Sequence, residues 1–147
     1  MLSYQHGEPD ETTHKLLMKC RPDYIPADRV MVDLKTTASA IDPESFQRQA
    51  LNLHYHWSAA LTLRGLTQAT GKTHRVYVFV VVEINPPFEV AVYQATEDFI
   101  FLGLREAMAV MERLAWCDKN NVWPGMPNKT MQLGLPAWAR KRMNFEE

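Results

Sequence analysis

Two short stretches of this 147-residue chain have residue types and spacing that can do chemistry: Arg21-Pro22-Asp23 and, after nine intervening residues, Asp33-Leu34-Lys35. The second lies within Arg29–Thr37, RVMVDLKTT, a run rich in β-branched residues that reads as a strand. Residues two apart on a strand project the same way. Met31, Asp33 and Lys35 therefore share one face, and Val30, Val32 and Leu34 the other. With Asp23 closing a neighbouring strand, two carboxylates and one ammonium converge on a single point. Close carboxylates repel, and a divalent cation that prefers hard oxygen ligands, Mg2+ or Mn2+, removes that cost. Such an ion polarises a phosphate ester and lowers the pKa of a bound water. Lys35 beside it would orient the water or offset charge building on the phosphorus. An Asp-x-Lys pair is more often a solvated feature of a strand edge. The apolar setting of V-M-V-D-L-K argues against that here, because charges on a core strand are expensive unless used.

The elements that must position these residues follow from patterning. Met1–Gln5 reads as a short strand, Gly7–Glu11 as a polar turn, and Leu16–Arg21 as the returning strand of a hairpin that Pro22 ends beside Asp23. Asp42-Pro43-Glu44 marks a helix start, with an N-cap acid, proline at the first position and an acid near the positive end of the dipole. Phe46, Ala50, Leu53, Trp57, Ala60 and Leu61 continue at helical spacing, predicting one helix to about Gly65. Val76–Ile84 is the best candidate for a buried central strand, and Glu89–Gln94 is its hairpin partner across Asn85-Pro86-Pro87. Glu97–Cys117 carries a second helical stripe, with Leu104, Ala107, Met108, Met111, Leu114 and Ala115 on its apolar face. The tail is punctuated by W-P-G and L-P-A-W and ends in a short basic helix. No internal repeat or low-complexity linker interrupts the chain, which reads as a single domain over 1–147.

Other polar residues have plainer readings. His54 and His56 would stand about 200° apart on one helix, which disfavours a shared metal. His54 suits a polar helix face, whereas His56 shares a face with Gln49 and Asn52 and is able to look into the site. Gly71-Lys72-Thr73 lacks the upstream glycine of a phosphate-binding loop, Leu66 standing there instead, and is a turn. Arg64, Lys72, His74 and Arg75, and likewise Arg140-Lys141-Arg142, are candidates to follow a phosphate backbone, although solvated basic helix ends are commoner. Trp123 and Trp138 are most simply anchors that pack the tail onto the core.

Composition excludes several classes without choosing one. Apolar residues at 46% and charged residues at 22% fit a globular chain. Cys20 and Cys117 form no C-x-x-C pair, which argues against a zinc site or disulfide scaffold and suits a reducing cytoplasm. The longest apolar run is strand-sized, so no membrane span is expected. A net charge of −1 supplies no overall attraction to nucleic acid, so contact with DNA would need a local patch or bound metal.

R-P-D, V-D-L-K-T-T, a helix containing Tyr55-His56, the V-F-V-V-V-E strand, W-P-G and L-P-A-W-A together resemble the nuclease domain of the exonuclease VIII (RecE) group. That group belongs to the PD-(D/E)xK superfamily, and the resemblance runs from about Leu16 to near the end of the chain. It implies an α/β fold, a central mixed sheet flanked by helices with a restriction-endonuclease-like core. It also implies a metal-dependent 5′-to-3′ exonuclease on double-stranded DNA, common in phages and prophages, leaving a 3′ strand for a single-strand annealing protein. Exonuclease action in such a group depends on whether subunits form a ring around the duplex, so a homo-oligomer is a further expectation. By position, Asp23 and Asp33 are the metal ligands with the Leu34 carbonyl as a third, Lys35 is the catalytic lysine, and Gln49, Tyr55 and His56 are accessory candidates. An endonuclease or repair nuclease of the same superfamily is the alternative in kind.

The sequence departs from the group's pattern in two places. Related domains begin with a helical segment that supplies a His or Glu ligand, and only 22 residues precede Asp23 here; His6, Glu8 and His14 sit in no recognisable helical motif. The group's helix reads Y-H-x-Q-x-x-x-Y, where this chain has Ser58 and Thr62 at the glutamine and second tyrosine positions. A truncated, split or decayed copy that binds DNA or a partner without cutting is therefore the non-enzymatic rival.

Overall fold

The computed structural model describes residues 2–6, 16–26 and 29–140, with side chains from residue 16 onward. Strands β1 (Leu2–His6) and β2 (Leu16–Cys20) form the expected antiparallel hairpin. The polar turn Gly7–Glu11, together with Glu8, His14, Lys141 and Arg142, lies outside the described residues.

The main sheet has three strands in the order β3 (Val30–Thr37), β4 (Val76–Glu83), β5 (Val90–Gln94). β3 and β4 run parallel, with Asp33 opposite Phe79 and Lys35 opposite Val81, and β5 closes antiparallel on β4. The sheet is thus mixed, as a parallel pair joined by helices and then a hairpin requires. Alternation along β3 buries Met31, Asp33 and Thr37 and leaves Leu34 and Thr36 outside. The buried side of this strand is the face that carries the charges, not the face of Val30, Val32 and Leu34.

Helices α1 (Pro43–Asn52) and α2 (Tyr55–Thr70) make the crossover from β3 to β4. Asp42 caps α1 as its sequence predicts, its Oδ1 accepting from the Ser45 amide at 3.1 Å, with proline in the first turn. The single helix expected to run to Gly65 is broken. His54 adopts a left-handed conformation, φ 55°, a region that histidine enters more readily than most residues. The break resets the helical phase, so α2 buries His56, Ala59, Ala60, Leu63 and Leu66, and Leu53 is left exposed. Helical periodicity extended across a break points the wrong residues inward, which is why Leu53 and Trp57 appeared to continue the stripe. α2 ends on left-handed Gly71, φ 67°, whose amide returns to the Thr67 carbonyl.

Met31, Ile41, Phe46, Ala50, Ala59, Leu63, Leu66, Tyr77, Phe79 and Val81 form one core between the sheet and these helices. Tyr93 stacks on Phe46 with ring centroids 4.9 Å apart and donates its hydroxyl to the Ile41 carbonyl, tying β5 to the start of α1. α3 (Glu97–Asn120) runs three residues beyond its expected end and packs on α2. Gly103 permits the close approach, because a Cβ there would overlap the His56 backbone carbonyl.

Beyond α3 the tail departs from expectation. Trp123 and Trp138 are 58% and 65% exposed, so neither is buried in the core as expected. Pro124, Pro127 and Pro136 interrupt regular pairing there, and the only helix among the described tail residues is the single turn α4 (Ala137–Arg140). No helix among the described residues is long and apolar enough to cross a membrane.

Candidate active site

The site grows from the outer edge of β3. Thr37 directs its carbonyl to Ile84 beyond β4, and alternation places the backbone groups of Val32 and Leu34 on the opposite edge. The chain after Pro22 lies along that edge. Tyr24 and Val32 exchange both backbone hydrogen bonds, at 3.2 and 2.9 Å, in an antiparallel bridge. One step along this register puts Asp23 opposite Asp33. The Asp23 Oδ2 atom then accepts from the Leu34 amide at 3.0 Å, and the Leu34 carbonyl faces the same edge.

The two carboxylates sit in different surroundings. Asp23 is exposed, and the Leu34 amide holds its carboxyl below the usual carboxylate range, with Asp33, Lys35 and Arg21 adding smaller effects in the same direction. Asp33 is only 8% exposed, and burial pushes its carboxyl up, with the adjacent Asp23 charge adding to the rise. Lys35 opposes the rise: its Nζ lies 2.5 Å from Asp33 Oδ2. The same buried Oδ2 has that ammonium as its close polar partner. Across the ammonium, the Tyr55 ring lies 4.9 Å from Nζ, a cation–π distance that helps to fix the lysine.

Asp23, Asp33, Leu34, Lys35 and Tyr55 are thus brought together. Gln49 stands further along β3, where its Oε1 accepts from the Thr37 hydroxyl at 2.9 Å while Thr37 Oγ1 accepts from the Ser39 amide. His56 goes elsewhere. Its side chain packs between α2 and α3, with Nε2 2.9 Å from Glu106 Oε2, and the Trp57 indole donates to the same oxygen at 2.8 Å. These bonds hold the Glu106 carboxyl below its ordinary range, Trp57 first and His56 second. The expected shared face with Gln49 disappears because the left-handed residue at His54 rotates α2 relative to α1.

Sequence patterning missed Tyr77. Its side chain is 1% exposed, and its hydroxyl lies against Asp33 and Ser58; burial first, and then the Asp33 charge, push its pKa well up, while Ser58 draws it down. Alternation in V-Y-V-F-V-V-V placed Tyr77 on the face of Phe79 and Val81, but only the β3–β4 register brings that face beneath Asp33. Ser58, at the position where the resembled helix has glutamine, faces the same tyrosine.

A divalent cation fits this donor set on chemical grounds. A buried carboxylate, a second carboxylate opposite it and a backbone carbonyl on the same edge are hard oxygen donors whose mutual repulsion a cation relieves. Among the described residues no group of three or more His, Cys, Asp or Glu side chains is placed to hold a metal ion.

Residues 10–132 match the family described as a PDDEXK-like domain of unknown function, and the chain belongs to that family. The crystal structure described as "Putative exonuclease" from Eubacterium rectale superposes with a TM-score of 0.57 at 18% identity, over 86% of this chain and 50% of that one. This chain therefore spans about half the length of that structure. The family and the shared fold together define a restriction-endonuclease-like α/β domain of the PD-(D/E)xK type. No curated protein matches the chain in sequence.

Proposed function

We propose that the chain is a metal-dependent deoxyribonuclease domain in which Asp23, Asp33 and the Leu34 carbonyl hold Mg2+ or Mn2+ and Lys35 acts on the reacting phosphate. The observation that carries this reading is the buried Asp33 carboxylate, placed opposite Asp23 and beside Lys35. A structural ion pair needs no second carboxylate, and a buried charge that does no work is costly. The bound cation would polarise the scissile phosphate and acidify a water. Asp33 supplies a fixed, desolvated oxygen, and Asp23, locked by the Leu34 amide, supplies a second at a set separation. Lys35, steadied by the Tyr55 ring, presents an ammonium to the water or to a phosphate oxygen, and Tyr77 and Ser58 border the floor beneath Asp33.

The resemblance to the exonuclease VIII group supports a finer reading: 5′-to-3′ degradation of double-stranded DNA ends in phage-type recombination, in the cytoplasm, by a homo-oligomer working with an annealing protein. The family match is in keeping with a nuclease-type domain, and the name of the Eubacterium rectale structure with an exonuclease. The test is Mn2+-dependent release of nucleotides from 5′-labelled linear duplex, with covalently closed circular duplex alongside. Loss of the linear label with the circle intact is the expected result. Cutting of the circle would favour an endonuclease, and no cutting with Mg2+ or Mn2+ by any version of the chain would overturn the reading.

A second reading is favoured by the two-carboxylate site and the short side chains at Ser58 and Thr62: a domain that binds metal and DNA but cuts slowly. Positioning errors near 1 Å cost about 100-fold in rate. The 147-residue chain assayed beside a version extended upstream, or beside a partner subunit, separates the two. Robust cutting by the short chain alone would sink this second reading.

A further inference from the structure

Of the β4 side chains buried in the core, Tyr77, Phe79 and Val81, only Tyr77 ends in a polar atom, and it is 1% exposed. A phenylalanine would fill the same space without burying a hydroxyl, so the oxygen is costly there unless it is used. Two neighbours are available to it, the Asp33 carboxylate on β3 and Ser58 on α2. The register explains the first. Tyr77 stands opposite Met31, and Asp33 is the next residue along β3 on the same face. An ionised carboxylate only accepts hydrogen bonds. The single proton of the phenol is therefore placed to go to Asp33, and the phenol oxygen is left to accept from Ser58.

The ring is fixed independently of the site. It packs against Phe79, with ring centroids 4.9 Å apart, in the same core as Met31 and Leu66. A tyrosine oxygen moves only with its ring, so a locked ring holds the oxygen in one place. Lys35, the other polar neighbour, reaches Asp33 on a flexible stem, and a cation at the two carboxylates would take over its role as counterion. Tyr77 then remains to set the direction of the Asp33 oxygens. Hydrogen-bond partners of this kind orient ligating carboxylates, and losing one costs about 10- to 100-fold in metal affinity.

We propose that Tyr77 is a positioning residue for Asp33, aiming its carboxylate at the divalent cation through the buried hydroxyl, which Ser58 holds in turn. This role rests on the metal-binding reading of Asp23 and Asp33, and the experiment separates the two. Calorimetric titration of the whole chain with Mn2+, without DNA, compares the parent with Tyr77→Phe, Ser58→Ala, Tyr93→Phe and Asp33→Asn, with melting curves to check folding. Tyr77→Phe should bind Mn2+ about 10- to 100-fold more weakly, and Ser58→Ala more weakly by a smaller factor. The variant carrying both changes should lose no more than Tyr77→Phe, because Ser58 acts through a phenol oxygen that is already gone. Tyr93→Phe removes a hydroxyl that donates to the Ile41 carbonyl, so it should melt lower and keep its Mn2+ affinity. A merely structural Tyr77 would behave in the same way. Should Tyr77→Phe not fold, Ser58→Ala decides: weaker Mn2+ binding supports the role, and unchanged binding overturns it. Parent binding that Asp33→Asn abolishes and a folded Tyr77→Phe leaves intact overturns the role of Tyr77 alone. No Mn2+ binding by the parent overturns the metal reading and this role with it.

Discussion

The Asp23 carboxylate accepts the Leu34 amide at 3.0 Å, so the chain following Pro22 is pinned to the edge of the strand that carries Asp33 and Lys35. This bond and the adjoining Tyr24–Val32 bridge give the acids of two separate stretches a fixed spacing.

Asp33→Asn should abolish Mg2+ and Mn2+ binding in calorimetric titration and yet make the metal-free protein more stable. Burial disfavours the ionised Asp33 carboxyl, and asparagine removes that penalty without changing shape. A rise of roughly 2–4 °C in melting temperature, equivalent to about 1 kcal/mol for a chain somewhat above this size, is expected. Undiminished metal binding in the variant would remove Asp33 from the site.

The two acids should impose opposite pH dependences. The folded carboxyl of Asp23 titrates below the ordinary aspartate value of 3.8, so its stabilising effect is present above that pH and is lost as pH falls through the lower folded value. Asp33 is raised, so the folded state holds its proton more tightly, and stability declines as pH climbs from 3.8 through the raised value. Melting curves from pH 3 to 7 should show Asp33→Asn gaining on the parent as pH rises and Asp23→Asn falling behind. Parallel curves for the three proteins would contradict the assigned environments.

Lys35→Ala should lower kcat by about 100- to 1,000-fold, the range for losing one preorganised charge at a reacting centre, while metal affinity stays level or rises. In the metal-free protein Lys35 is the counterion of Asp33, and a divalent cation would take over that role. The metal-free variant should also melt lower, since Asp33 is left buried and uncompensated. Cleavage equal to the parent's would reduce Lys35 to a structural partner.

Gly103→Ala should cost about 1–3 kcal/mol in urea unfolding, because the added methyl meets the His56 carbonyl and α2 and α3 must separate. Trp57, bonded to Glu106 across the same contact, provides a fluorescence signal for that separation. An unchanged unfolding midpoint would mean that the helices have room to spare.

Local chemistry made much of this protein legible from its sequence. Asp42 and Pro43 announce α1, Gly71-Lys72-Thr73 reads as a turn, and β-branched runs mark β3 and β4, because capping, turn conformation and strand preference depend on near neighbours. The helix expected to stop at about Gly65, by contrast, runs on to Thr70. Strand alternation likewise placed Asp33 and Lys35 on one side of β3, and R-P-D at its spacing named their partner.

Tertiary structure decided what alternation leaves relative. Alternation says that two faces exist, but packing against α1 and α2 made the charged face the buried one. The β3–β4 register, a contact between residues more than forty positions apart, brought Tyr77 beneath Asp33. The left-handed turn at His54 rotated His56 away from Gln49 and into Glu106 on α3, which no helical period extended through that residue would place. Trp123 and Trp138, read from their type as anchors, stand largely exposed, because residue type alone does not decide burial. Sequence spacing thus determined which residues are able to meet, and long-range register and helix phase, set by the core, determined which of them do.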